Sequence, residues 1–275
     1  MLFRNRKFLI GFIIIAILVT VAIVSNTLTE PALRRTGSFL PKLPPASGWP
    51  LGTDSLGRSV AIQMSEAILK SLLVGLVAAT LGTFLGAVIG FTAGYFGGVV
   101  DAFLRMLIDV FLAVPSLLFL ILIASLVKGV GVLAMAVIIG MFAWASPARQ
   151  VRAQVLSLKE RPFVELARLS GMSGLEIVFR ELMPNMLQWL GANFVNAFIA
   201  AILAEAGLSL LGLGPQRDMT LGMMIYWALS YGAILQNLWW WWLTPVFGLI
   251  CLFLSLYLLH LGLDEVSNPR LAGRV

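Results

Sequence analysis

One cysteine, Cys251, and one histidine, His260, occur among 275 residues. A single thiol excludes an intrachain disulfide, and a single imidazole argues against a metal centre built on histidines. Charge is equally sparse, with Asp, Glu, Lys and Arg making up 12% of the chain, far below the share usual in soluble domains. No G-x-x-x-x-G-K-[ST] run is present, so nucleotide phosphates are not cradled by that route. No Ser/His/Asp set or paired-carboxylate constellation is visible either. The chain is therefore not read as an enzyme, and no catalytic residue is assigned.

What the sequence has in quantity is apolar length. Hydrophobic residues make up 60% of it, and the runs are long enough to cross a bilayer. This predicts an all-α polytopic membrane protein built as one embedded bundle among membrane lipids. The net charge of +6 could suit nucleic acid. The cations, however, sit at the ends of apolar segments, where the positive-inside rule places them, and a nucleic-acid partner is set aside.

Taken in order, Arg4, Arg6 and Lys7 precede an apolar run from Phe8 to about Ser25, read as a retained helix. A proline-rich loop from Asn26 to Ser65 follows. The second span, about Ser71 to Tyr95, carries Gly82, Gly86, Gly90 and Gly94 on one side. Such a small-residue stripe lets helices approach closely, either within the chain or at a subunit seam. After a turn at Gly97-Gly98, Asp101, Arg105 and Asp109 stack at i, i+4 spacing. The arginine is placed to bridge both carboxylates, as a structural ion-pair ladder or as a gate with a hinge at Pro115. The fourth span, about Val130 to Trp144, follows a turn at Lys128-Gly129. The fifth, Leu187 to about Leu211, carries Glu205 at its far end, read as a loop anchor or a substrate contact. Trp239 to Trp242 form a block of interfacial indoles before a last span from Leu243 to about Leu261. His260, near the end of that span, is read as an interfacial residue. Six crossings with both termini in the cytoplasm result.

The stretch 151–185 interrupts this pattern with charge. Pro162 suits a first helical position, Gly171 a left-handed stop, and Ser173 with Glu176 a capping box. A second short helix, carrying Ile177, Val178 and Phe179, is expected to end before Pro184. The expectation is a helix-turn-helix cornered at Gly171.

Glu165-Leu166-Ala167, Gly171 and Pro184-Asn185 resemble the EAA loop of permease subunits of ATP-binding-cassette importers, with Leu166 and Met183 departing from its pattern. Trp49 to Arg58 resembles the His-Pro-Leu-Gly-Thr-Asp-x-x-Gly-Arg signature of the dipeptide, oligopeptide and nickel branch, with Trp49 in place of the histidine. Ala204 to Gly214 resembles that branch's Glu-Ala-x-Leu-Ser-Phe-Leu-Gly-Leu-Gly. Asp264 with Asn268 to Leu271 resembles its cytoplasmic ending.

The resemblance implies a type I importer permease, with a MetI-like core of 66–265 and an added N-terminal helix and loop over 1–65. A tail of 266–275 completes the chain. It implies an ATPase-coupling surface at Glu165, Ala167, Arg168, Gly171, Met172, Ser173, Gly174 and Leu175, with Asp101, Arg105, Asp109 and Glu205 as gate or structural charges. It implies a second homologous permease, two ATPase subunits that bind the ATP and Mg, and an extracytoplasmic binding protein, in a bacterial or archaeal inner membrane. This chain itself is expected to hold no cofactor and no metal. Peptides are the expected cargo, with oligosaccharides or nickel chelates as alternatives. The rival of another class is an ion-coupled secondary transporter or channel using Glu205 or the 101/105/109 ladder.

Overall fold

The computed structural model describes residues 5–127 and 129–267. Expectations resting on Arg4, Lys128, the ending Asn268 to Leu271 and Arg274 fall outside them. Among the described residues no strand forms, and the only bridges are the isolated ones at Ala46–Trp49 and Thr53–Ser59.

Helix α1 (Arg6–Leu28) starts at Asn5, whose side chain accepts from the amides of Lys7 and Phe8. After a loop, α2 (Val60–Phe96) runs for 37 residues, beginning well before the expected Ser71. Its added turns carry Gln63 and Ser65, which are buried against protein. Then α3 (Gly98–Ala113) and α4 (Ser116–Leu126) meet at 74°, and the break falls at the expected Pro115. Helices α5 (Val132–Phe142) and α6 (Ala145–Leu158) meet at 42°. The expected single span ending at Trp144 is thus a bent pair. Pro147 explains the bend, because it lacks the N–H that would reach the Ala143 carbonyl.

The charged stretch forms α7 (Pro162–Leu169) and α8 (Gly174–Glu176), followed by a π turn (Ile177–Leu182) that leads into α9 (Met183–Leu210). Here the expected stop before Pro184 is corrected. The Met183 N–H bonds to the Val178 carbonyl, five residues back, and this widened turn seats Pro184 in the first turn of α9 without ending the helix. Helix α10 (Leu221–Ser230) is too short to span, and α11 (Trp239–Ser267) begins with the tryptophan block and tolerates Pro245. Among the described residues, 4 helices are long and apolar enough to cross a membrane, or up to 6 if each bent pair is one span.

Helix α2 is the central post, packed by α6, α5, α9 and α1. Its glycine stripe faces α6. A Cβ at Gly86 would stand 2.6 Å from Pro147 Cβ, and one at Gly90 would stand 2.7 Å from the Ala148 carbonyl oxygen. The stripe is therefore intrachain packing. Helix α1 lies as closely on α11, since a Cβ at Gly11 would stand 2.5 Å from the Ser255 carbonyl oxygen. At one end of that pair, Asn5 and Lys7 both bond the Glu265 carboxylate.

Candidate functional site

The elbow between α6 and α9 is folded by local signals and buttressed by distant ones. Pro162 opens α7, and the chain closes it with Met172 N–H to the Ala167 carbonyl at 3.2 Å and Gly171 N–H to Arg168 at 3.0 Å. Gly171 sits at φ +83°, the left-handed conformation this helix ending uses. Ser173 then caps α8: the Glu176 carboxylate accepts from the Ser173 N–H and hydroxyl, both at 2.9 Å. Those two donors hold the Glu176 carboxyl below its ordinary range.

Val164 and Ala167 turn inward, onto a cluster with Phe91, Val155, Ile177 and Leu182. Lys159 reaches the Gly94 carbonyl at 3.1 Å, at the end of α2, where a cation suits the helix dipole. The Arg168 guanidinium lies over the Tyr95 ring. The outward face is apolar in an unusual way, with Leu166 63%, Leu169 79%, Leu175 60% and Phe179 59% exposed. These four side chains lie outside the membrane-length apolar helices or at the start of one, on a turn whose other face is packed.

Of the residues expected there, Glu165, Arg168, Gly171, Ser173 and Leu175 are on the surface. Ala167 is buried, Met172 is partly packed into the cluster, and Gly174 lies against Tyr95. The exposed Leu166, Leu169 and Phe179 were not among the residues expected there.

The expected ladder is not built. Asp101 instead takes a two-pronged pair with Arg152 of α6, whose Nη2 lies 2.7 Å from Oδ2. Among the described residues, Arg105 pairs only with Asp109, at 3.6 Å and well exposed. The two-pronged geometry favours this partner, since a bidentate guanidinium–carboxylate pair is stronger than a single long contact.

Glu205 is fully buried. Its Oε1 accepts from the Ser209 and Thr220 hydroxyls, each at 2.6 Å. Thr220 in turn accepts from Met223 N–H at 3.2 Å, capping α10. This arrangement clamps α10 to α9. Ser71 accepts from Leu221 N–H at 3.0 Å and ties the same turn to α2.

The end of the bundle opposite the elbow is held by further polar links. Asp54 accepts from the Leu56 and Arg58 amides, from Arg58 Nε and from Gln63 Nε2. The signature-like run 49–58 is therefore a loop staple. Trp240 and Trp241 are buried, and Trp240 Nε1 donates to the Thr53 carbonyl at 3.1 Å. The tryptophan block is corrected accordingly: half of it is an internal brace, because Trp240 meets the loop at Gly52 and Thr53 and Trp241 packs beside Tyr231. Asp218 accepts from Lys70 Nζ at 2.8 Å and from Val132 N–H at 2.7 Å. Burial pushes its carboxyl up, but these partners outweigh burial and hold it below the usual range. His260 Nδ1 lies 3.0 Å from the Ala192 carbonyl oxygen, linking α11 to α9. Among the described residues no group of His, Cys, Asp and Glu is placed to hold a metal ion.

A cavity of about 420 Å³ lies where both bent pairs meet α9. Ser116, Ser146, Gln150, Asn193 and Asn196 supply its polar groups. Because α6 leads directly into the elbow, one wall of this cavity is mechanically continuous with the surface patch.

Comparison with known proteins gives a consistent result. Residues 82–273 match the family described as binding-protein-dependent transport system inner membrane component. A putative peptide transport system permease protein of Brucella abortus is 33% identical, covering 98% of this chain and 90% of that protein. The oligopeptide transport system permease protein OppC of Escherichia coli K12 is 37% identical, covering 85% and 75%. OppC of Mycobacterium tuberculosis H37Rv is 32% identical over 82% and 77%. Inward-facing structures of the MetNI methionine ABC transporter share the fold. One has a TM-score of 0.57 at 20% identity, covering 75% of this chain and 95% of that one. A second crystal form has a TM-score of 0.54 at 19% identity.

Proposed function

The chain belongs to the family of binding-protein-dependent transport system inner membrane components and is a permease subunit of an ATP-binding-cassette importer; from that premise we propose that it passes peptides and takes its power stroke through the elbow at 162–182. ATPase and binding-protein partners go with such a system. We assign the chain half of a pathway completed by a second, related permease, with two ATPases beneath it. Nucleotide and Mg belong to those ATPases, and this chain carries no catalytic step. Both termini and the elbow lie in the cytoplasm, while the loop 29–59 and α10 lie outside.

The observation that carries the reading is the exposed set Leu166, Leu169, Leu175 and Phe179 on a capped, internally packed turn. Burying such side chains against a partner releases on the order of 1.5–3 kcal/mol each before the costs of association. The turn is stiff, so a push on it moves α6 and α9 rather than deforming the contact. The cargo assignment is supported by relatives whose names specify peptides or oligopeptides. The ion-coupled reading loses its ladder, because Asp101 is committed to Arg152.

The test is crosslinking within the assembled transporter, with Cys251→Ser as background. Leu169→Cys should form an adduct with an ATPase subunit, in a yield that changes on ATP binding. Leu169→Glu should reduce co-purification of the ATPases and abolish uptake. Efficient ATP-driven peptide uptake by Leu169→Glu would defeat the proposal.

A further inference from the structure

The cavity between the two bent pairs has a composition that selects among cargo chemistries. Among the described residues, none of those lining it is titratable. An uncharged wall offers nothing to hold a metal chelate or a free ion by charge. What it offers is primary amides. Asn193 and Asn196 stand three residues apart on α9 and so share a face, and Gln150 faces them from α6.

Their hydrogen-bonding capacity is largely unspent. Asn193 gives Nδ2 to the Trp189 carbonyl at 3.1 Å, and Gln150 gives Nε2 to the Ser146 hydroxyl at 3.1 Å. Both carbonyl oxygens remain open. Among the described residues, Asn196 makes no side-chain hydrogen bond, and neither does Ser116 at the start of α4.

An amide side chain both donates and accepts. A pair of them one turn apart therefore matches the alternating N–H and C=O of an extended peptide main chain, whatever its side chains are. The rest of the α9 wall is Ala197, Ala200, Ala201 and Ala204, which leaves room for cargo side chains of different size. The volume falls within the usual range for small-ligand sites.

We propose that this cavity is a transit subsite that reads the peptide main chain, with Asn196 and Asn193 as its hydrogen-bonding pair. The inference rests on the peptide-permease reading above and adds which groups meet the cargo and which part of it they meet. Gln150 and Ser146 ride on α6, so movement of the elbow changes the distance across the subsite and releases what the amides hold. This makes the contact transient, as conduction requires.

The experiment uses the complete transporter in proteoliposomes, with its binding protein saturated by trialanine or by trialanine N-methylated at the central amide. Methylation removes one main-chain donor and leaves the side chains unchanged. The wild type should move trialanine roughly five- to tenfold faster than the analogue, the order that one or two ordinary hydrogen bonds account for. In Asn196→Leu and in Asn193→Leu/Asn196→Leu the trialanine rate should fall to that of the analogue. Asn196→Gln should restore part of the preference. Because Asn196 is exposed in the cavity, its single replacement keeps the test open if the double variant fails to assemble. Wild-type rates and preference in Asn196→Leu would overturn the subsite while leaving the permease reading intact. Absence of any ATP-driven peptide uptake by the wild type would instead overturn the cargo assignment, and the subsite with it.

Discussion

Gly86→Ala tests the α2–α6 seam directly, because a single added methyl meets only rigid neighbours there. Its Cβ would stand 2.6 Å from Pro147 Cβ, 2.8 Å from the Trp144 carbonyl oxygen and 2.9 Å from the Ala148 amide nitrogen. Carbon atoms settle at about 3.5–4.0 Å, so the shortfall at Pro147 is about 1 Å. No rotamer change can relieve it, since two of the contacts are backbone and the third belongs to a proline ring. Helix α6 must move outward, and a gap of that size forfeits a quarter to a half of each dispersion contact along the seam. Overpacking of this kind costs about 1–3 kcal/mol, offset by about 1 kcal/mol from the better helix propensity of alanine. The net effect is a destabilisation of up to about 2 kcal/mol. Gly207→Ala supplies the internal control, because a Cβ there meets nothing within 4 Å and should show the propensity gain alone. Thermal unfolding of the detergent-purified chain, followed by tryptophan fluorescence, should rank Gly86→Ala below wild type and Gly207→Ala at or above it. A Gly86→Ala protein that melts as high as Gly207→Ala would refute the seam.

Two further outcomes are expected. Asp101→Ala should cost about 1–3 kcal/mol, because it strands a largely buried Arg152, and additivity in a melting double-mutant cycle on Asp101 and Arg152 would count against the link; Arg105→Met should stay within about 0.5 kcal/mol as an exposed pair, read from its own melting curve. Glu205→Gln keeps an oxygen for Ser209 and Thr220 and should leave α10 in place, whereas Glu205→Leu should lose about 2 kcal/mol and speed hydrogen exchange at the Leu221 and Met223 amides.

The elbow was legible because capping is written within a few residues: Pro162, Gly171 and the Ser173/Glu176 pair each act on their own turn. The break at Pro115 was legible for the same reason. Long-range choices were not. Asp101 takes a partner 51 positions away, and nothing in its own i, i+4 neighbourhood signals that Arg152 competes with Arg105. Trp240 looked interfacial because its hydrogen-bond acceptor, Thr53, lies 187 positions earlier. Pro184 carried a genuine stop signal that a π turn overrode, and the packing of Ile177, Val178 and Leu182 against α2 and α6 is what makes that turn worthwhile. The glycine stripe showed that something would approach α2 closely, but only the fold showed that it was α6.

That unbroken run from Gly174 to Leu210 contains 37 residues, roughly 55 Å of rod at 1.5 Å each. The other limb leaving the elbow, α6, is bent by 42° where it joins α5. Under the proposed coupling, a displacement of the elbow would be geared unequally: the bent limb would absorb part of it, while the straight one would carry it to the Glu205 clamp. Opening below and rearrangement above are the two ends of one crank.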